Sequence, residues 1–178
     1  ANTTGVRNTA MGYAALYNNA GGTNNVALGM ETLRDGTGHT YNTAVGYNAM
    51  LSMGGNVVGN VAVGGFALYY PSGNYNTAIG YNAIKGAGAG TRTAYNNVAI
   101  GREALLDITS GYGNAGLGYQ SLANITTGYS NVAVGNQAAF SLTTGRKNIA
   151  VGNQAGYSMA TGTGSVMVGE YAGGNNTA

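Results

Sequence analysis

The stretch Asn42-Thr43-Ala44-Val45-Gly46-Tyr47-Asn48-Ala49-Met50 recurs, with variations, from one end of this 178-residue chain to the other. In general form it is asparagine, a β-branched residue, alanine, an aliphatic residue, glycine, two variable residues, a small residue and an aliphatic residue. Its central glycine falls at Gly12, Gly29, Gly46, Gly64, Gly80, Gly101, Gly118, Gly135, Gly152 and Gly169, which makes ten copies. The steps between them are 17, 17, 18, 16, 21, 17, 17, 17 and 17 residues. A near-constant period of this length predicts a solenoid, in which each unit stacks on the next because none can bury its apolar face alone. Residues 1–178 are accordingly read as one repeat array, and the start at Ala1 without a methionine suggests a segment of a longer fibrous protein.

Before each glycine the pattern has the period of two that belongs to a strand, as in Val61-Ala62-Val63 and Val98-Ala99-Ile100. Second and fourth positions then share one face and the third lies on the other. The third is Ala10, Ala27, Ala44, Ala62, Ala78, Ala99, Ala133 or Ala150, with Gly116 and Met167 as departures, so that face is expected to be closely packed. The fourth is always aliphatic, from Met11 and Leu28 to Val151 and Val168, and is expected to face a hydrophobic core.

After the glycine a second apolar pair, such as Ala15-Leu16, Ala67-Leu68, Ala104-Leu105 or Ser121-Leu122, forms the returning half of the coil. It weakens to Ala138-Ala139, Ala155-Gly156 and Ala172-Gly173 in the last copies. The glycine three residues before the asparagine (Gly5, Gly22, Gly73, Gly111, Gly128, Gly145, Gly162) is expected to be a turn residue with positive φ. The asparagines themselves, from Asn8 to Asn148 with Ser165 last, can stack amide on amide from coil to coil. Tyrosine marks the sixth position of every odd copy through Tyr119, which fits either two distinct solenoid faces or an ancestral duplication of paired coils. The insertion Lys85–Arg92 is expected to be a flexible surface loop, because no helix pattern follows it to make a phosphate cradle.

Thirty-three glycines, one proline and no tryptophan or cysteine exclude an ordinary mixed core, and the missing cysteines exclude disulfides, thiolate metal sites and cysteine nucleophiles. Charged residues make up 7% and the net charge is +2, too little to imply a nucleic acid or an anionic membrane as partner. No apolar run reaches the ~20 residues of a membrane-spanning helix. Fourteen tyrosines and the regular aliphatic positions argue for order. Coils built from such small side chains bury little on their own, so the chain is expected to be a homo-oligomer, most simply a closed ring of three. The alanine-only face would permit close approach between copies.

The stretches Asn131–Gly135 (Asn-Val-Ala-Val-Gly) and Asn97–Gly101 (Asn-Val-Ala-Ile-Gly) resemble the head repeats of trimeric autotransporter adhesins. The form Asn-Thr-Ala-x-Gly-Tyr-Asn-Ala at Asn42–Ala49 and Asn76–Ala83 is similar to repeats in phage tail-fibre shafts and related surface proteins. The resemblance covers almost the whole chain. It implies an all-β fold, a parallel β-solenoid or β-roll of about ten 17-residue coils packed as a homotrimer at an extracellular or virion surface. Adhesin heads use shorter coils, and no binding residue carries across.

The catalytic inventory is small: one histidine, His39, in a glycine-rich connection, and the acids Glu31, Asp35, Glu103, Asp107 and Glu170. Glu103 and Asp107 are close in sequence, but beside Arg102 they read as a solvated charge cluster and not as a glycosidase pair. His39 reads as a surface residue and not as part of a nucleophile triad. Most turns lack the aspartate of calcium-binding β-rolls, so no catalytic, metal or cofactor site is expected. Tyr17, Tyr41, Tyr69, Tyr70, Tyr75, Tyr95, Tyr112, Tyr129 and Tyr157 lie in connections among amides and hydroxyls. They either pack the coil corners or stack on sugars. The expected function is a rod that spaces or presents a receptor-binding tip; the alternative is an adhesin head that binds a host-surface glycan or protein directly. Ice binding needs in-phase threonines, and only Thr9, Thr43 and Thr77 recur in phase.

Overall fold

The computed structural model describes residues 4–51, 55–70, 73–86 and 93–173. Among them are ten three-residue strands: β1 (Thr9–Met11), β2 (Val26–Leu28), β3 (Thr43–Val45), β4 (Val61–Val63), β5 (Thr77–Ile79), β6 (Val98–Ile100), β7 (Ala115–Leu117), β8 (Val132–Val134), β9 (Ile149–Val151) and β10 (Val166–Val168). They form one sheet in sequence order with every neighbouring pair parallel. Parallel neighbours need a crossover, and here the rest of each repeat supplies it, so one repeat makes one full turn of a β-solenoid.

Like positions meet like. Thr43 pairs with Val61, Ala44 with Ala62 and Val45 with Val63, and the register survives the 21-residue step, where Thr77 pairs with Val98 and Ile79 with Ile100. Odd and even repeats therefore occupy equivalent turns, so the tyrosine alternation marks pairs of coils and not two faces of one turn.

The assignment of faces expected from sequence is reversed. The third-position alanines Ala27, Ala44, Ala62, Ala78, Ala99, Ala133 and Ala150 are completely buried and form one wall of the core, while fourth-position Val63, Ile79, Ile100, Leu117, Val134 and Val168 are exposed. The reason is volume. The returning half sends Leu33, Met50, Leu68, Leu105 and Leu122 into the same narrow interior, with Ile108, Ile125 and Leu142 beside them, and close packing leaves the strand wall room for little more than a methyl group. The two departures from alanine obey this reciprocity. A Cβ at Gly116 would run into Cδ1 of Leu105, and one at Gly156 would lie 2.9 Å from Cε of Met167. Where the strand residue shrinks the opposite wall is large, and where it grows to methionine the opposite wall is glycine.

The returning half is not a second sheet. Its seventh- and ninth-position residues are left-handed, as at Asn48 (φ 54°) and Met50 (φ 50°), or Glu103 (φ 58°) and Leu105 (φ 50°). For residues with a Cβ this costs about 1–2 kcal/mol each. The alternation turns the N–H groups of the seventh and ninth positions in opposite directions along the solenoid. Asn48 N donates to Met30 O of the preceding coil and Met50 N to Ala67 O of the following one, both at 3.0 Å. A half-turn with no strand thus satisfies its backbone on both sides.

Two glycine columns have different causes. The central glycine turns the corner after the strand: Gly46 sits at φ 131°, and a Cβ there would be 2.6 Å from Gly64 O. The glycine three residues before the asparagine was expected to need positive φ, and of that set only Gly73 has it. The left-handed residue is instead the one directly before the asparagine, including Arg7, Asn24, Tyr41, Tyr75, Asn96, Ser130 and Lys147. The earlier glycine is required by space. A Cβ on Gly145 would lie 2.6 Å from Gly162 O and 3.0 Å from the Asn148 amide nitrogen.

Candidate interaction surfaces

That crowding serves the asparagine ladder, which runs through the buried corner of every coil from Asn25 to Asn148. Asn114 Oδ1 accepts from Asn131 N (3.0 Å) and Asn131 Nδ2 (2.9 Å), and Asn131 Nδ2 also donates to Gly145 O (2.8 Å). With Asn148 N and Nδ2 donating to its own Oδ1 in turn, the Asn131 side chain serves four groups and ties three coils in register. The ladder ends where Ser165, lacking an amide, donates only its backbone N–H to Asn148 Oδ1. The column is structural, because a buried amide with its partners made has nothing to offer a ligand.

The largest surface feature is the outer face of the sheet. Second and fourth positions project there, and no charged residue occurs in any of the ten strands. Along the middle of the rod Val63, Ile79, Val98, Ile100, Leu117, Val132, Val134 and Ile149 are 36–40% exposed, while Val26, Leu28, Thr43, Val45, Val61, Thr77, Ala115 and Val151 are half-buried. Apart from Thr9, Thr43 and Thr77, these side chains form an aliphatic stripe.

The corners beside the stripe carry ladders in the C-terminal coils. Tyr95 and Tyr112 stack with ring centroids 5.0 Å apart and 1° between planes, and Tyr112 and Tyr129 at 4.8 Å and 4°. Phe140 stacks on Tyr157 in the same way at another corner. Two amide chains run in opposite senses. Gln154 Nε2 donates to Gln137, Gln137 to Gln120, and Gln120 to the carboxylate of Glu103. Asn136 donates to Asn153, which donates to the carboxylate of Glu170. In each case an acid terminates the chain at its acceptor end, where a pure acceptor is needed.

The N-terminal coils are packed individually. Tyr47, Phe66, Tyr69, Tyr70 and Tyr81 meet edge to face around Phe66, with the Lys85 ammonium 5.8 Å from the Phe66 ring centre. On the first two coils Tyr13, Tyr17, Asn18, Glu31, Arg34 and Asp35 line an open hollow of about 490 Å3. Arg34 pairs with Glu31 and Asp35, each at 2.9 Å, and its Nε donates to Asp35 Oδ1 at 3.0 Å. The hydrogen bonds to Asp35 lift the guanidinium pKa still further above its usual value, so Arg34 is always charged. Asn18 Nδ2 donates to Asp35 Oδ1 at 3.1 Å.

His39 is not a surface residue. It is fully buried, and both ring nitrogens engage backbone: Nδ1 accepts from Val57 N (3.3 Å), which leaves the proton on Nε2 to be donated to Asp35 O (3.0 Å). Burial lowers its pKa, against a smaller opposing effect of the Asp35 carbonyl. Held this way it cannot serve a serine. Glu103 pairs with Arg102 (3.0 Å) and Gln120, so its carboxylate belongs to the charge pair and the amide ladder.

Among the described residues no group of three or more His, Asp or Glu side chains is placed to hold a metal ion. Among the described residues there is no helix long and apolar enough to cross a membrane. Of the tyrosines in connections, Tyr69, Tyr70, Tyr95, Tyr112, Tyr129 and Tyr157 pack on other rings, while Tyr17, Tyr41 and Tyr75 stand out into solvent. Of the insertion, residues 87–92 lie outside the described residues. Sequence reading missed the aliphatic stripe, although the unbroken run of aliphatic fourth positions was its signal; it could not show which face is outward. No protein-family model, curated protein or solved structure matches this chain.

Proposed function

We propose that this chain is a rigid rod segment of an extracellular or virion-surface fibre, assembled as a homotrimer and non-enzymatic, that spaces or presents a receptor-binding tip. The observation that carries this reading is the aliphatic stripe: an uncharged, register-locked sheet face whose side chains stay partly exposed from strand to strand, with none of the described residues covering it. Identical rods set side by side about a shared long axis cover one another's stripes along their full length, and a closed ring leaves none exposed. The alanine wall, expected from sequence to meet the neighbouring copies, is already consumed by the core.

Sedimentation tests this directly. The expected mass is three times the 17.8 kDa chain, and Ile100→Lys together with Val132→Lys in the stripe should yield monomers that keep their β-rich circular dichroism. A wild-type monomer at micromolar concentration would remove the reading. The second reading, direct adhesion to a host-surface glycan or protein, draws its support from the exposed Tyr13 and Tyr17 beside the hollow of the first coils.

A further inference from the structure

The hollow on the first two coils differs from the rest of the rod. In the C-terminal coils exposed side chains form columns of like residues, and coils three to five carry an apolar aromatic cluster; here two aromatic rings flank a charged, hydrogen-bonded floor. Tyr13 and Tyr17 stand exposed at its rim, as the sixth-position tyrosines Tyr47 and Tyr81 do on later coils, whereas the side chains of Arg34, Glu31 and Asp35 are only 29%, 22% and 24% exposed. Aromatic rims over a recessed polar floor form an amphipathic surface. The volume lies within the roughly 300–1,000 Å3 typical of small-molecule sites.

The floor is also already ordered. Arg34 holds Asp35 through two nitrogens and Glu31 through a third, and Asn18 fixes Asp35 from the neighbouring coil. Glu31 uses only Oε1 in its pair with Arg34, and Oε2 accepts no hydrogen bond among the described residues. The cluster therefore presents carboxylate acceptors next to guanidinium and amide donors, with a net charge of one negative. A hydroxyl group both donates and accepts, and this mixture matches it. A simple cation would have no use for the Arg34 and Asn18 donors, and an anion would be repelled.

We propose that this hollow is a binding site for a neutral saccharide. The apolar faces of one or two sugar rings stack on Tyr13 and Tyr17, and vicinal hydroxyls bridge Glu31, Asp35 and Asn18. The proposal does not depend on the rod reading: a spacer rod can carry such a site, and its failure leaves the rod intact.

The test titrates the intact assembled protein with lactose, maltose and chitobiose by calorimetry and saturation-transfer NMR, with 3′-sialyllactose and choline as charged probes. At least one neutral disaccharide should bind saturably, at about millimolar Kd or tighter, and 3′-sialyllactose should bind more weakly than lactose. Tyr13→Ala/Tyr17→Ala should weaken binding at least ten-fold with unchanged circular dichroism and sedimentation, whereas Tyr75→Ala, an exposed tyrosine elsewhere, should leave it unchanged. The proposal is overturned if no neutral disaccharide saturates up to about 20 mM, a range that would still detect ~2 kcal/mol of binding. It is equally overturned if the double variant binds as well as the wild type, or if choline binds in the Tyr13- and Tyr17-dependent manner and the sugars do not.

Discussion

From Gly101 to Gly169 the coils advance in unbroken 17-residue steps, whereas between Gly12 and Gly101 the steps are 17, 17, 18, 16 and 21. The surfaces differ accordingly. In the regular half like residues lie over like: Tyr95 on Tyr112 on Tyr129, and Gln120 on Gln137 on Gln154. In the irregular half each corner is packed once: an edge-to-face aromatic cluster, a buried histidine, an arginine between two acids. A constant period lets one favourable contact be copied down the rod, while a changing period presents each coil with a different neighbour. The asparagine ladder absorbs most of the irregularity. Its amide-to-amide links are 2.9–3.1 Å in the regular half and 3.0 Å across the 21-residue step, and reach 3.3 Å at Asn60–Asn42 and Asn76–Asn60, where the backbone N–H links stay at 2.9 and 2.8 Å.

The strongest test of this contrast is one that should fail to see it. Gly80→Ala and Gly101→Ala each place a Cβ within 2.6 Å of the next coil's carbonyl at φ near 130°. Both should lose about 4 kcal/mol or more in thermal or denaturant unfolding, since the corner is common to both halves. Next, Asn131→Ala strands Asn148 N and Nδ2 and Gly145 O inside the rod, and should cost about 3 kcal/mol. Asn60→Ala, where both amide-to-amide links are 3.3 Å, should cost nearer 2 kcal/mol on the same scale; equal losses would erase the distinction.

Acid should separate the halves. His39 titrates below its ordinary pKa of 6.5 because burial disfavours its charge. Below 6.5, down to the folded value, the unfolded chain binds more protons than the native one, so stability is lost as pH falls through that window. The melting temperature should therefore drop between pH 7 and pH 5, with limited proteolysis opening the N-terminal coils first, and His39→Gln should flatten the profile. Among the surface ladders, Tyr112→Ala removes two stacking contacts and should cost about 1–2 kcal/mol. Gln137→Ala, a half-buried link in a solvated amide chain, should change stability by less than about 1 kcal/mol.

Much of this architecture was readable because repetition is a strong signal. Ten glycines at one spacing announce parallel coils in register, and an asparagine before every strand announces a ladder. What escaped was anything depending on which way a residue turns. The left-handed residues before the asparagines are arginine, asparagine, tyrosine, serine and lysine more often than glycine, so composition hides them. His39 looked like a loop histidine until its neighbours Val57 and Asp35 closed around it. The hollow joins residues from two coils, Tyr13 with Arg34 and Tyr17 with Asp35, that no motif links.

By itself the sequence determined the period, the strand positions, the parallel order and the amide column, because each follows from placing like residues at equal contour length. Only the tertiary structure decided which face of the strands looks inward. Both faces are apolar, so alternation alone carries no sign. The choice falls to volume: Leu33, Leu105 and Leu122 fill a core too narrow for a second wall of large side chains, so the alanines go in and the valines and isoleucines are turned out.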